Sequence, residues 1–254
     1  MTFERLSNLN GKVVVITGGC GQVGYATAKR LAQQGAQIIA ITRRNIDQAQ
    51  QMMDNLPNTH LNHRAILASV TDTDSLKAAV KEITKLYGRC DILVNSASVL
   101  NPVPPGDLHG LTDEIFDEII TVNVRGTYAT IREFADLLQS TGDALIINVS
   151  SQSGHRASNS NIAYASSKAA IDLMTKSLAK SLAPAVRVIG IAPGHLETAV
   201  SGVVRVDNND TIASRIPLKR IGTGDDVAST IEAYAMLIRH ATGITVLVDG
   251  GNTL

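Results

Sequence analysis

Seven short runs of this chain are apolar on successive residues rather than on alternate ones: VVVITG (13–18), QIIAIT (37–42), HRAILAS (63–69), DILVNS (91–96), ALIINVS (144–150), VRVIGIA (186–192) and ITVLVDG (244–250). A strand wetted on one face alternates. A strand covered on both faces does not, and such strands belong to parallel sheets flanked by helices. The intervening segments supply the helices. YATAKRLAQQG ends at Gly35 and DTDSLKAAVKEITKLYG ends at Gly88, and each glycine suits a left-handed helix C-terminus. Asp72 and Asp74 are both candidate N-caps. Right-handed crossovers then predict an α/β fold with a doubly wound, seven-stranded parallel sheet and a ligand beyond the carboxyl ends of its strands. With 254 residues, no interdomain linker and no repeat, the expectation is one domain over 1–254. NPVPPGDLHG (101–110) reads as a loop and RVDNND (205–210) as part of a flap.

Charge narrows the partner. The formal net charge is +0 and no long run of one sign occurs, so neither nucleic acid nor an anionic membrane is expected, leaving a small molecule. The opening MTFERLSNLN lacks a basic-then-apolar leader, and the apolar runs are too short to span a bilayer, which predicts a soluble, cytoplasmic protein. Cys20 and Cys90 have no CxxC partner and fit reduced thiols. His60 and His63 have ligand-like spacing but no third ligand, so exposed histidines and no metal are expected; Asp47 and Asp54 read as solvent-face charges.

Two stretches carry chemistry. TGGCGQVG (17–24) follows the first strand and opens the first helix, and its glycines at 18, 19, 21 and 24 would let backbone N–H groups approach a pyrophosphate at a helix N-terminus. A tight strand-to-helix turn is the plain alternative, and the position at the first βα junction favours dinucleotide binding. In YASSK (164–168), Tyr164 and Lys168 lie four residues apart on one helix face. A fixed ammonium favours the phenolate of a group whose pKa is ordinarily about 10, tuning it for proton transfer. A buried tyrosine beside a snorkelling lysine would leave the same pattern.

Taken together these stretches make the chain resemble the short-chain dehydrogenase/reductase family, NAD(P)-dependent Rossmann-fold enzymes, over essentially its whole length. The landmarks run in family order: TGGCGQVG, NSAS (95–98), NVRG (123–126), SSQSG (150–154), YASSK, APGHLET (192–198), then TG and VDGG (242–251). PGHLET and PLKRIGTGDDVA are similar to 3-oxoacyl-carrier-protein reductases, while NSAS and LAPAVRV are similar to pteridine and dihydromonapterin reductases. The resemblance implies a catalytic set of Asn123, Ser151, Tyr164 and Lys168, with Ser151 binding the substrate carbonyl, Asn123 holding a water near Lys168, and Ser150 as the rival serine. It implies cofactor contacts from Gly18, Gly21, Gln22, Val23, Gly24, Thr42, Arg43, Arg44, Ser69, Val70, Asn95, Ala97, Tyr164, Lys168, Pro193, Gly194, Leu196 and Thr198. It also implies a substrate loop near 195–216 and a homotetramer or homodimer. Departures are Gln22 for a glycine, with an amide that would reach toward phosphate or substrate, Ser69 for an aspartate at the adenine, and Ile189 for an asparagine.

The second strand ends in Thr42, Arg43 and Arg44 where an acid would select NAD. Guanidinium groups there favour a 2′-phosphate, so NADP(H) is expected to be preferred; a pair of solvated arginines on a surface loop is the plain alternative, and NAD(H) is then possible. The expected activity is hydride transfer between nicotinamide and a carbonyl or secondary alcohol, with Tyr164 as acid/base. A dinucleotide-sensing protein on the same fold is the rival, and a serine hydrolase ranks last because no GxSxG elbow exists. Gln152, His155, Arg156 and His195 flank the expected pocket, and Cys20 sits in its glycine turn.

Overall fold

The computed structural model describes residues 6–157, 160–197 and 209–254. In chain order it contains β1 (Val13–Thr17), α1 (Gln22–Gln33), β2 (Gln37–Thr42), α2 (Ile46–Asp54), β3 (Arg64–Leu67), α3 (Thr73–Tyr87), β4 (Ile92–Asn95), α4 (Asp113–Ile120), α5 (Gly126–Gln139), β5 (Ala144–Val149), α6 (Ile162–Leu182), β6 (Val186–Pro193), α7 (Asn209–Arg215), α8 (Gly224–Met236) and β7 (Ile244–Val248). All seven expected strands are present, each within two residues of its expected ends. They form one all-parallel sheet in the order β3-β2-β1-β4-β5-β6-β7. The order reverses between β1 and β4, which opens a crevice where their outgoing turns diverge.

Successive strand residues supply opposite cores. Val14 and Ile16 of β1, with Ile38 and Ala40 of β2, pack beneath α1, α2 and α8 through Leu31, Met53 and Ile231. Their neighbours Val13, Val15, Ile39 and Ile41 pack on the other face against Ile83 of α3, Phe134 of α5 and Ala179 of α6. Both faces are dry, which is why the strands are unbroken apolar runs. Burying one such aliphatic side chain stabilises the fold by about 1.5–3 kcal/mol, so the runs set the register as well as the sheet.

Helix ends follow their capping chemistry, with one correction. Asp72 caps α3 by accepting from the N–H groups of Asp74 and Ser75, whereas Asp74 is a first-turn residue and not a cap. Gly88 closes the same helix at φ +67°. Gly35 follows α1 at φ +89°. The loop over 101–110 has no regular structure, as expected, while 205–208 lie outside the described residues.

His63 also departs from expectation. It is 3 % exposed, its Nδ1 accepts from the N–H of Ile38 at 3.1 Å, and its Nε2 lies 2.8 Å from the Pro57 carbonyl. The ring takes up the N–H of Ile38 near the start of β2 rather than facing water, and burial holds its pKa below the ordinary value. His60 is exposed.

Candidate active site

A cleft of about 890 Å3 runs along the carboxyl ends of the first four strands. The turn after β1 contributes Thr17, Gly18, Cys20 and Gly21; β2 ends in Thr42, Arg43 and Arg44. Ser69, Val70 and Thr71 follow β3, and Ser96 to Val99 follow β4. Eight of the expected cofactor residues therefore share one wall system: Gly18, Gly21, Thr42, Arg43, Arg44, Ser69, Val70 and Ala97.

The glycine turn is built for close approach. Gly18 has φ +65°, and a Cβ there would lie 2.9 Å from the N of Ala97. A Cβ on Gly24 would collide with the carbonyl of Gly18. Helix α1 is capped by Gly21 with no side-chain cap, and its first helical bond runs from Tyr25 N to Gly21 O. The N–H groups of Gln22, Val23 and Gly24 precede that bond, which is the geometry that receives an anion. A dinucleotide pyrophosphate fits this cradle. Thr17 tightens it, its Oγ1 accepting from the N–H groups of Ser96 and Ala97 at 3.2 and 3.3 Å.

Gln22 does something the sequence did not suggest. Its Nε2 donates to the carbonyl of Glu197, tying the start of α1 to the chain leaving β6 instead of reaching toward phosphate or substrate. Gly224 makes room for it, because a Cβ there would stand 2.8 Å from the Gln22 carbonyl. Leu196 pairs with Gly222 in the same place, and Gly194 donates to Val248 at 3.0 Å. Pro193 is buried at the end of β6, and Thr198 lies outside the described residues.

Arg43 and Arg44 are exposed, and neither pairs with a carboxylate among the described residues. Thr42 Oγ1 donates to the Arg44 carbonyl at 2.8 Å and fixes the turn. Ser69 Oγ lies 2.9 Å from Thr71 Oγ1. Asn95 is turned inward: its Nδ2 donates to Asn148 Oδ1 at 2.9 Å, and Asn148 Nδ2 donates to Thr175 at 3.0 Å. This buried polar ladder joins β4, β5 and α6. Its side chain does not line the cleft.

Helix α6 is capped by Asn161, whose Oδ1 accepts from the N–H of Tyr164 at 2.7 Å and whose Nδ2 donates to the Asn101 carbonyl at 2.6 Å. An asparagine just ahead of an apolar helical pattern is the usual sequence signal for such a cap. The cap fixes the first turn, and Tyr164 stands half-buried upon it. Lys168 follows at 3 % exposure, its Nζ 5.4 Å from the Tyr164 ring centroid and donating to the Val149 carbonyl at 3.0 Å. Burial lowers the ammonium to about 8, and Asp172, one turn further along α6, opposes that fall.

The two serines after β5 separate cleanly. Ser150 Oγ donates to the main-chain carbonyl of Lys168. Ser151 caps the short turn Gln152–Gly154, accepting from the N–H of Ser153 at 3.2 Å, which leaves its proton to donate. Asn123 sits in a π-turn over Thr121–Arg125 that joins α4 to α5. Its side chain is saturated: Oδ1 accepts from Ser98 and Val99, and Nδ2 donates to the Val99 carbonyl and Ser167 Oγ. Any water on this residue must therefore bind its main-chain carbonyl, which also accepts from Thr127 at 2.7 Å. Gly126 brings this helix against β3's exit, since a Cβ there would stand 2.8 Å from Val70 Cγ2.

At the far side Gln152, His195 and Asn252 meet. Asn252 Nδ2 donates to Gln152 Oε1 at 2.8 Å, and Gln152 Nε2 lies 3.2 Å from His195 Nδ1. His155 Nε2 lies 3.1 Å from Asp172 Oδ2, and Arg156 is exposed. Cys20 is half-buried and its thiol is pushed up by burial, away from the reactive thiolate.

This arrangement has close parallels. Residues 12–209 match the family model described as short chain dehydrogenase. The chain is 34 % identical over 247 residues to a 3-oxoacyl-(acyl-carrier-protein) reductase of Thermotoga maritima, covering 96 % of this chain and 98 % of that protein. It superposes with TM-score 0.87 on a 3-ketoacyl-(acyl-carrier-protein) reductase from Brucella melitensis complexed with NADH, at 29 % identity over 97 % of this chain and all 100 % of the other. A gluconate 5-dehydrogenase from Burkholderia cenocepacia, in complex with NADP and tartrate, gives TM-score 0.88 at 26 % identity over 97 % and 96 % of the two chains. No helix among the described residues is long and apolar enough to cross a membrane. With the parallel sheet, the glycine cradle and these likenesses in agreement, the chain belongs to the short-chain dehydrogenase family, oxidoreductases that bind a nicotinamide dinucleotide and act on CH–OH and C=O groups.

Proposed function

We propose that this chain is an NADP(H)-dependent carbonyl reductase in which Tyr164 is the acid/base. The observation that carries the reading is Lys168: a lysine brought to 3 % exposure, one turn from a half-buried tyrosine, with its ammonium 5.4 Å from that ring. A fold gains nothing from burying a charge this way, and a proton-transfer site does.

Each residue then has a task. Ser151, at the exit of β5, donates to the substrate carbonyl oxygen and holds it near Tyr164. Lys168 stabilises the phenolate left when Tyr164 gives up its proton. The main-chain carbonyl of Asn123 holds a water that connects Lys168 to solvent. When bound, the dinucleotide supplies the hydride that reaches the carbonyl carbon. Gly18, Gly21 and the open N–H groups of Gln22, Val23 and Gly24 seat its pyrophosphate, with Ser69, Val70 and Ala97 along the cleft and Pro193, Gly194, Leu196 and Thr198 at the nicotinamide end. Two guanidinium groups without a carboxylate partner among the described residues, Arg43 and Arg44, support a 2′-phosphate, so NADP(H) is preferred over NAD(H). On this reading the chain is a single-domain, cytoplasmic enzyme with its substrate loop near 195–216, and family precedent favours a homotetramer or homodimer.

Similarity to the Thermotoga maritima protein favours a 3-oxoacyl thioester as one substrate class. The test is a Tyr164→Phe variant assayed with NADPH against acyl thioester, sugar, steroid and pterin carbonyls. The expected result is a fall in turnover of about 10²-fold or more with NADPH binding retained. A wild type that binds NADPH and reduces none of these carbonyls would instead make the chain a dinucleotide sensor.

A further inference from the structure

Asp172 is a buried carboxylate that the reaction above does not use. It sits one helical turn beyond Lys168 on α6, as Lys168 sits one turn beyond Tyr164, so the three side chains share one helix face. Thr245 of β7 donates to its Oδ1 at 3.1 Å. Among the described residues its Oδ2 has no well-directed hydrogen-bond donor, and His155 Nε2, from the turn after β5, is at ion-pair distance, 3.1 Å. Gly154 clears this space, since a Cβ there would stand 2.9 Å from that same oxygen. A carboxylate in such a place costs desolvation unless a positive charge answers it.

We infer that Asp172 is a positioning residue for the proton-transfer pair: pinned between β7 and the turn after Ser151, it supplies the opposing charge that keeps Lys168 an ammonium beside Tyr164. The inference rests on the proposed role of Tyr164 and Lys168. Burial alone drives Lys168 toward the neutral amine, and among the described residues Asp172 is the carboxylate that acts against this. The other groups facing Lys168 are the Tyr164 phenol on its own helix, the Val149 carbonyl of β5, and His155 behind Asp172. The π-turn offers only the neutral Asn123 amide, by way of Ser167.

The test is the pH profile of NADPH-dependent carbonyl reduction in Asp172→Asn, which keeps the shape and the acceptor for Thr245. The alkaline limb, set by loss of the Lys168 proton, is expected to fall by about one pH unit, a loss of about ten-fold where the limb is complete. Asp172→Glu, which keeps the charge, is expected to restore most of the limb. A uniform loss at every pH, or an unmoved limb, overturns the inference. If Asp172→Asn does not fold, Asp172→Ser, which also removes the charge, carries the same test, and an unmoved limb there is equally decisive. Tyr164→Phe run alongside separates the two readings. Full turnover in that variant sinks the acid/base assignment, whereas lost turnover with an unmoved limb in Asp172→Asn sinks only the role of Asp172.

Discussion

The hydroxyl of Ser150 donates to the main-chain carbonyl of Lys168 at 3.2 Å. Adjacent serines after β5 are thereby divided, because the first is 3 % exposed and spends its proton on α6, while the second caps a short turn through its oxygen alone.

The expected consequence is a crossed pair of phenotypes. If Ser151 binds the substrate carbonyl as proposed, Ser151→Ala should lower kcat by about 10²–10³-fold with little change in melting temperature. Ser150→Ala removes a buried hydrogen bond and should cost about 1 kcal/mol of stability, with turnover per folded molecule within a few-fold of wild type. Steady-state kinetics and thermal melts on both variants decide it, and the reverse pattern would exchange the roles.

His63 predicts an acid-side weakness. Its folded pKa lies below the ordinary 6.5 because the ring is desolvated, so as pH falls the unfolded chain takes up a proton before the folded chain does. Stability should therefore decline from pH 6.5 downward through the folded pKa. His63→Gln offers an amide oxygen to Ile38 N and cannot ionise. Denaturation midpoints measured between pH 7.5 and 5 should fall less steeply in this variant, and parallel curves would refute the assignment.

The sheet was legible because burial on both faces leaves an unbroken apolar run, a local signature needing no knowledge of partners. The glycine turn and the Tyr164–Lys168 spacing were legible for the same reason: each is a short-range constraint on backbone or helix face. What failed was long-range. His63 is buried by Ile38 and Pro57, 25 and 6 residues away, and a polar residue at a strand edge gives no sign of which way it faces. Gln22 meets Glu197 across 175 residues, whereas its place in the glycine turn points only to phosphate or substrate. The choice of Asp72 over Asp74 turned on a shift of two residues, within the usual uncertainty of helix starts.

Cofactor preference should respond to Arg43. Its guanidinium is exposed and has no carboxylate partner among the described residues, so a 2′-phosphate would meet a donor already free. Arg43→Ala should lower kcat/KM for NADPH by about ten-fold, the size of one exposed charge-assisted contact, and leave NADH within about two-fold. Raising the salt concentration should shrink the NADPH advantage of the wild type, because exposed charges are screened. Equal kcat/KM for the two cofactors in the wild type would refute the argument outright.

Lys168 should trade stability for activity. Its pKa is lowered by burial from 10.5 to about 8, so between those values the unfolded chain holds a proton that the folded chain has released, and stability rises with pH across that window. Below about pH 8 the folded state carries the full penalty of a buried ammonium, and a gap of this size corresponds to about 3 kcal/mol. Lys168→Met removes that penalty and fills the same volume, at the cost of the hydrogen bond to Val149, worth about 1 kcal/mol. The variant should therefore be more stable than wild type at pH 7, by about 1–2 kcal/mol, with a melting temperature several degrees higher and carbonyl reduction lost. The stability difference should close as pH approaches 10, where the wild-type lysine is neutral when folded. A variant less stable than wild type at pH 7 would mean that the ammonium is held by more than Asp172 and a carbonyl oxygen, and that its burial is a feature of the fold rather than a cost accepted for proton transfer.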